Sequence, residues 1–459
     1  MSDRSKSTEA AQRRPRLFGT DGVRGVFGTH PLDQSTVRTL AAALGETLGR
    51  KGPSPRVVLG GDTRDSTPIL CRWLASELVA QGVDATFLGT VPTPCVAHAT
   101  TSLGAVCGIA VSASHNPHPD NGIKLIDGRG FKWTPTDEAA LEATMETVAP
   151  RTTTDSGAEL EADPKPVEDW LRHLAAGLEG DRPLAGLSLA LDTGNGAASP
   201  YARRLFEGLG ATVSVLHDQP DGSNINAGCG STHPEVLATE VRRIGADLGF
   251  SFDGDADRVI VADESGTVRD GDAILYLWGL DLARRDALPG RRIVATSMSN
   301  LGLEVALRRE GIELLRCDVG DREVVATMER SGTVLGGEQS GHIVHRGSST
   351  TGDGLLTALH VAALRRRADQ SLSALLTGFE RFPQLIHNLR VRHKPPLDTL
   401  PEVVAAQGEV EAALGDQGRL VLRYSGTEPL VRIMIEGPEQ GPIEALAQQL
   451  AGVLEEQLA

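Results

Sequence analysis

Aromatic side chains are scarce in this chain, at 3% of its residues, and basic ones are outnumbered. Lys and Arg number 45 against 61 Asp and Glu, a formal net charge of −16. No basic stripe with interleaved aromatics occurs, which argues against nucleic acid as a partner. Phosphate ligands stay open, because a few arginines outweigh a global field at contact distance. The five cysteines (Cys71, Cys95, Cys107, Cys229 and Cys317) are widely spaced and form no CxxC. Reduced thiols in a cytoplasmic protein fit that pattern better than a zinc site. Apolar runs of about eighteen residues are missing, so no membrane span is expected. Met1 to Arg16 is polar and lacks the apolar stretch of a signal peptide, so it reads as a disordered tail. The absence of a GxxxxGKS/T loop leaves a Walker-type nucleotide hydrolase unsupported. The absence of a GxSxG elbow weakens a serine-hydrolase reading. Asp192 to Gly196 has the look of a dinucleotide loop, but Ser199 stands where its third glycine belongs.

What is present is an ordinary soluble composition, 40% hydrophobic and 23% charged, over 459 residues. That length accommodates about three or four domains. From Leu17 onward, short apolar runs alternate with amphipathic segments. Arg56–Gly61 and Ala85–Leu88 read as strands, and Pro68–Ala80 as the helix between them. The pattern restarts near Leu187–Leu191 and again near Arg292–Thr296, without a repeated sequence period. The fold class is therefore α/β, with three α/β domains. A smaller α+β domain follows, with strands at Leu420–Arg423 and Val431–Ile435 and a closing helix over Pro442–Leu458. Breaks at Val148–Pro166, Asp263–Gly266 and Arg381–Pro383 divide the chain into a tail (1–16) and domains I (17–165), II (166–264), III (265–382) and IV (383–459).

Four stretches carry chemistry. Ser112-Ala113-Ser114-His115-Asn116-Pro117 follows the apolar run Gly104–Ile109, which suits a buried strand. Pro117 disfavours helix at Asn116, so the chain past Asn116 is expected to be extended, with Ser114 presented on a stiff loop. That hydroxyl suits a nucleophile or a phosphoryl carrier, although the same residue types make plain turns. Asp253-Gly254-Asp255-Ala256-Asp257-Arg258 follows the apolar run Leu248–Phe252. In extended backbone its three aspartates share one side. Two carboxylates about 4 Å apart repel by about 4 kcal/mol at an effective dielectric of 20, so a cation belongs among them. All-oxygen donors point to Mg²⁺ or Ca²⁺. Glu264 sits twelfth from Asp253, as in an EF-hand, but Arg258 occupies that loop's glycine position. Gly337-Glu338-Gln339-Ser340-Gly341-His342 offers Glu338 and Ser340 as grips for vicinal hydroxyls and His342 as a proton carrier. Arg423-Tyr424-Ser425-Gly426-Thr427-Glu428-Pro429, with Arg432 beyond, reads as an anion cradle for a phosphate that does not react.

Together with Gly19–Gly25 and Asp120–Lys124, these motifs follow the order found in the α-D-phosphohexomutase superfamily. The chain resembles that superfamily from Leu17 to its C-terminus, and most closely the phosphoglucosamine mutase branch. The resemblance implies four domains around one cleft and a phosphoserine at Ser114. It implies Mg²⁺ held by Asp253, Asp255, Asp257 and the group on Ser114. Lys124, Arg24, Arg258 and His342 would assist charge and proton movement, the general base staying open among them. Glu338 and Ser340 would contact sugar hydroxyls, and Arg423, Ser425, Gly426, Thr427 and Arg432 the distal phosphate. The implied reaction converts glucosamine 6-phosphate to glucosamine 1-phosphate by way of glucosamine 1,6-bisphosphate, for UDP-N-acetylglucosamine synthesis. A protein kinase or autophosphorylation would first load Ser114. The implied partner is a small sugar phosphate, with no membrane or nucleic acid, in a cytoplasmic monomer or homodimer. The amino-sugar assignment rests on Gln339, on Val319–Arg322 and on Thr350–Gly354; Glu323 departs from the aromatic usual after Gly-Asp-Arg. Competing readings are a phosphomannomutase or phosphoglucomutase of the same mechanism, a phosphatase using an aspartate nucleophile, and a non-catalytic sugar-phosphate sensor.

Overall fold

Three sheets share one strand plan in the computed structural model of the chain, which describes residues 17–19, 21–49, 54–152, 157, 159–425 and 429–458. The expected N-terminal tail, Thr20 and part of the 148–166 linker lie outside the described residues. In the first sheet, β1 (Val23–Val26), β2 (Arg56–Gly61), β3 (Asp84–Thr90), β4 (Cys107–Val111) and β5 (Asp120–Asp127) lie in the order β1-β5-β4-β2-β3. Strand β2 runs parallel to β3 and β4, and β5 returns antiparallel to β4. The second sheet comprises β6 (Ser188–Asp192), β7 (Thr212–Leu216), β8 (Leu248–Phe252), β9 (Val259–Asp263) and β10 (Val268–Arg269), ordered β10-β9-β8-β6-β7. Its parallel and antiparallel pairings match the first. Beyond residue 264, β10 still pairs with β9. The third comprises β11 (Arg292–Thr296), β12 (Glu313–Cys317), β13 (Leu335–Gly337) and β14 (Ile343–His345), ordered β12-β11-β13-β14. It follows the same plan without the outer edge strand.

This plan positions the chemistry. In each sheet a parallel strand turns directly into an antiparallel return strand. Those three turns, β4–β5, β8–β9 and β13–β14, carry the Ser114 loop, the Asp253–Arg258 turn and the Glu338–His342 loop. They lie at the carboxyl ends of parallel strands, where open α/β sheets bind ligands. Strands β4 (CGIAV) and β8 (LGFSF) are buried along their whole length, as strands covered by helices on both faces must be.

The fourth sheet is antiparallel, ordered β15-β17-β16, from β15 (Gln384–Arg390), β16 (Arg419–Tyr424) and β17 (Leu430–Glu436). Its helices Pro401–Leu414 and Gln440–Leu458 cover a separate core around Val403, Ile433 and Leu450. Domains I to III share apolar packing. Trp170, on the helix Lys165–Ala176, sits in one core that extends from Val96 through Phe206 to Leu359. No described helix is long and apolar enough to cross a membrane.

Candidate active site

Ser114 is held by side chains that converge from two domains. Ser112 Oγ donates to Asp62 Oδ2 (2.5 Å) and accepts from the Ser114 amide (2.9 Å). Asp62 and Arg64 form a fully buried ion pair, and Arg64 donates to the Asn116 carbonyl (2.6 Å). From domain II, Asn226 Nδ2 donates to the Ser114 carbonyl (2.9 Å). The chain past Asn116 is not extended as Pro117 suggests: residues 118–119 form a turn closed by the Asp120 amide on the Pro117 carbonyl (3.1 Å), and the serine loop before it is itself compact. It is a tight turn with Ser114 at φ 53, a left-handed conformation that costs a non-glycine residue about 1–3 kcal/mol and persists where its surroundings over-determine it. Here the surroundings include Gly254, on which a Cβ would lie 2.5 Å from the Ser114 carbonyl oxygen.

The aspartates also differ from the alternating-strand expectation. Residues 253–258 form a turn with Ala256 at φ 52, closed by Asp253 Oδ1 accepting from the Arg258 amide (3.1 Å). This turn, and not the two-residue strand period, aims the carboxylates at one point. Oxygens of Asp253, Asp255 and Asp257 lie within 4.8 Å of one another, all three buried. Burial and the neighbouring Asp257 and Asp255 push the Asp253 carboxyl well above its ordinary range. Asp253 Oδ2 accepts from Ser114 Oγ at 2.5 Å. Lys124 Nζ, fully buried, lies 2.6 Å from Asp255 Oδ2 and 3.5 Å from Asp257 Oδ2. Burial alone would raise Asp255, yet the Lys124 ammonium holds it below its usual range, helped by the Thr93 hydroxyl at 2.5 Å. The Oδ1 atoms of Asp255 and Asp257 are buried without a hydrogen-bond partner. Converging, partly unpartnered carboxylate oxygens beside a serine hydroxyl fit a hard divalent cation such as Mg²⁺.

Beside this centre opens a cleft of about 490 Å³, lined by Asp21, Arg24, His115, Lys132, Asp257, Arg258, Glu338 and His342 among others. Arg24, Arg258, Glu338 and His342 thus come together from three domains as the sequence motifs implied. Glu338 Oε1 accepts from the Gly320 amide (3.3 Å), whereas Ser340 is exposed at the outer turn of its loop and does not line the cleft. His342 is buried, and its Nε2 accepts from the Gly352 amide (3.3 Å). That Nε2 lies 3.9 Å from both Asp257 and Asp321.

Several site residues had no individual role in the sequence reading. Asp21 lay inside the Gly19–Gly25 motif; it binds Arg24 and Lys132 and lies 3.6 Å from Lys124. Lys132 also pairs with Asp321 and so ties domain I to domain III across the cleft. Burial would raise the Asp21 carboxyl, but Lys124, Lys132 and Arg24 bring it well below its ordinary value. His115 is held neutral by burial and by Arg258 and Arg24, and its Nδ1 lies 3.4 Å from Ser114 Oγ. No local periodicity marked Lys132 or Asp321, because their meaning is a contact across 189 residues of chain.

The anion cradle sits apart, on the fourth sheet. Arg423 and Arg432 are direct cross-strand partners on β16 and β17, which brings two guanidinium groups onto one face of the sheet. Lys394 adds a third cation, donating to the Ser425 carbonyl (2.6 Å). Gly426 and Thr427 lie outside the described residues. None of the described cradle residues lines the 490 Å³ cleft.

The chain matches models of all four phosphoglucomutase/phosphomannomutase domains. The alpha/beta/alpha domains I, II and III match residues 15–152, 168–266 and 270–382, and the C-terminal domain residues 387–453. Among curated relatives, the phosphoglucosamine mutase of Symbiobacterium thermophilum is 45% identical over 97% of this chain and 100% of its own. Among solved structures, a phosphoglucomutase/phosphomannomutase family protein from Burkholderia thailandensis aligns with TM-score 0.79 at 27% identity, covering 96% of this chain and 97% of its own. The N-acetylphosphoglucosamine mutase of Aspergillus fumigatus, solved with GlcNAc-6P and magnesium, shares the fold at TM-score 0.64 and 18% identity, covering 97% of this chain and 96% of its own. The chain belongs to the phosphoglucomutase/phosphomannomutase family and, within it, to the phosphoglucosamine mutases.

Proposed function

We propose that the protein interconverts glucosamine 6-phosphate and glucosamine 1-phosphate in the cytoplasm, with Ser114 carrying a phosphoryl group between turnovers. Domains I (17–165), II, III (to 382) and IV (383–459) each supply one loop, with domain II running past the expected end at 264 to take in β10 (Val268–Arg269). The observation that carries this reading is the 2.5 Å contact between Ser114 Oγ and Asp253 Oδ2, made across two domains beside a cleft into which Arg24, Lys132 and Arg258 bring positive charge.

In the first half-reaction the sugar O1 attacks phosphorus, the P–Oγ bond to Ser114 breaks, and the hydroxyl proton passes to a base. His115, whose pKa is lowered by burial and by Arg258 and Arg24, and His342 line the cleft for that task. Lys124 keeps its proton, because Asp21, Asp255 and Asp257 more than offset its burial, and so supplies charge in place of basicity. Asp253, Asp255 and Asp257, with the group on Ser114, would hold Mg²⁺, which when bound would supply further positive charge to the transferring phosphoryl group. The 1,6-bisphosphate then reorients. Ser114 Oγ attacks the 6-phosphorus, the P–O6 bond breaks, O6 takes up the proton that the base removed from O1, and glucosamine 1-phosphate leaves. Arg423, Ser425 and Arg432 hold the idle phosphate each time, so one cradle and one reactive serine serve both steps. Glu338 contacts sugar hydroxyls.

Two measurements test this. Intact mass and peptide mapping are expected to find phosphate on Ser114, and Ser114→Ala is expected to fold and lose turnover. A coupled assay is expected to favour glucosamine phosphate over mannose and glucose phosphates. Equal turnover of mannose 6-phosphate refutes the amino-sugar assignment, and substantial mutase activity in Ser114→Ala refutes the phosphoserine.

A further inference from the structure

Gln339 sits between Glu338 and Ser340 but does not line the cleft that Glu338 and His342 line. Its side chain is engaged elsewhere. Gln339 Nε2 donates to Asp272 Oδ2 (3.0 Å), and the Gln339 carbonyl accepts from the Gly271 amide (3.0 Å). The approach is close enough that a Cβ on Gly271 would lie 2.0 Å from the Glu338 carbonyl oxygen. The same Asp272 Oδ2 accepts from the Asn300 amide (2.8 Å). Asn300, fully buried, clamps Phe382 from both sides: its Oδ1 accepts from the Phe382 amide (2.8 Å), and its Nδ2 donates to the Phe382 carbonyl (3.0 Å). Asn300 Nδ2 also donates to Glu436 Oε1 (3.1 Å) on β17, the strand that carries Arg432.

One carboxylate oxygen therefore joins the sugar loop to the only segment of chain connecting domain III to domain IV. Buried polar groups in such a relay are costly to leave unpaired, so losing one member is felt by the next. We infer that Gln339 is a positioning residue that clasps the Glu338–His342 loop, through Asp272 and Asn300, to the Phe382 segment from which domain IV departs. The clasp fixes how far the hydroxyl-gripping loop stands from the distal phosphate cradle. Gln339 acts on sugar-phosphate recognition through that spacing, without touching the sugar. The inference rests on the proposed roles of Glu338 and of the cradle.

The test is Gln339→Met, which keeps the side-chain length and removes the amide. Hydrogen–deuterium exchange is followed in the substrate-free protein for the peptide containing Phe382, together with KM and kcat for glucosamine 6-phosphate and Ser114 phosphate content. Faster exchange at Phe382, by about tenfold, is expected, with KM raised about fivefold or more and phosphate content unchanged. Unchanged exchange at Phe382 overturns the inference, and unchanged exchange with a raised KM shows direct sugar contact instead. Gln339→Asn, one methylene too short to reach Asp272, is expected to match Gln339→Met and guards against a folding defect peculiar to methionine. The exchange measurement needs no substrate, so a failure of the mutase reading shows in the wild-type assay and leaves the clasp to be judged separately.

Discussion

Replacing Lys124 by Met isolates the electrostatics of the candidate phosphoryl-transfer centre. The Lys124 ammonium is fully buried, at 2.6, 3.5 and 3.6 Å from Asp255, Asp257 and Asp21. At an effective dielectric of 20, those separations correspond to gross attractions of about 6, 5 and 5 kcal/mol. Desolvation of the buried ammonium cancels most of that sum. Removing one partner of a buried ion pair typically costs about 3–5 kcal/mol, because the remaining charge is left uncompensated. For a domain of this size each kcal/mol is worth about 2–4 °C, so the metal-free transition of domains I and II is expected to fall by roughly 6–20 °C. Calorimetry in EDTA reads the shift. Mg²⁺ is then expected to restore part of it, by about 2.7 kcal/mol at a hundredfold excess over Kd, since the cation replaces the missing positive charge. A shift under about 2 °C would mean that the carboxylates are not counterbalanced by Lys124 and would refute the reasoning.

Gly254→Ala is expected to keep the fold but lower kcat by at least about tenfold, since its Cβ would lie 2.5 Å from the Ser114 carbonyl oxygen and displace the serine; wild-type turnover would show that the loop adapts. Arg423→Ala is expected to raise KM about tenfold or more with little change in melting temperature, and an unchanged KM counts against the cradle. Asp353, at the N-terminus of the helix Gly354–Ala368, is raised by burial to about 6. Against an unfolded value of about 3.9, that is worth about 3 kcal/mol. The folded state binds the extra proton, so this contribution is full below about pH 4 and is lost as pH rises through 6. Asp353→Asn keeps the acceptor for the Leu356 amide (2.9 Å) and is expected to abolish that decline; parallel wild-type and variant profiles between pH 4 and 7 would exclude the effect.

The amino-acid order alone determined the α/β alternation, the restarts near residues 187 and 292, and the stretches that hold Ser114, the three aspartates, Glu338 and His342. These are local properties. Apolar spacing follows the helical or strand period, and chemistry-bearing residues cluster within six or seven positions. Tertiary structure decided what those stretches do with one another. Ser114 and Ala256 adopt left-handed backbone that their residue types disfavour, and packing against Asn226 and Gly254 selects it at Ser114. Lys124 meets Asp255 across 131 residues, and Lys132 meets Asp21 across 111. Gln339 turns from the cleft toward Asp272 because domain III folds the start of the helix Gly271–Arg284 beneath its loop. Charges so far apart in sequence leave no periodic trace; burial brings them together, and the low dielectric there makes each pairing matter.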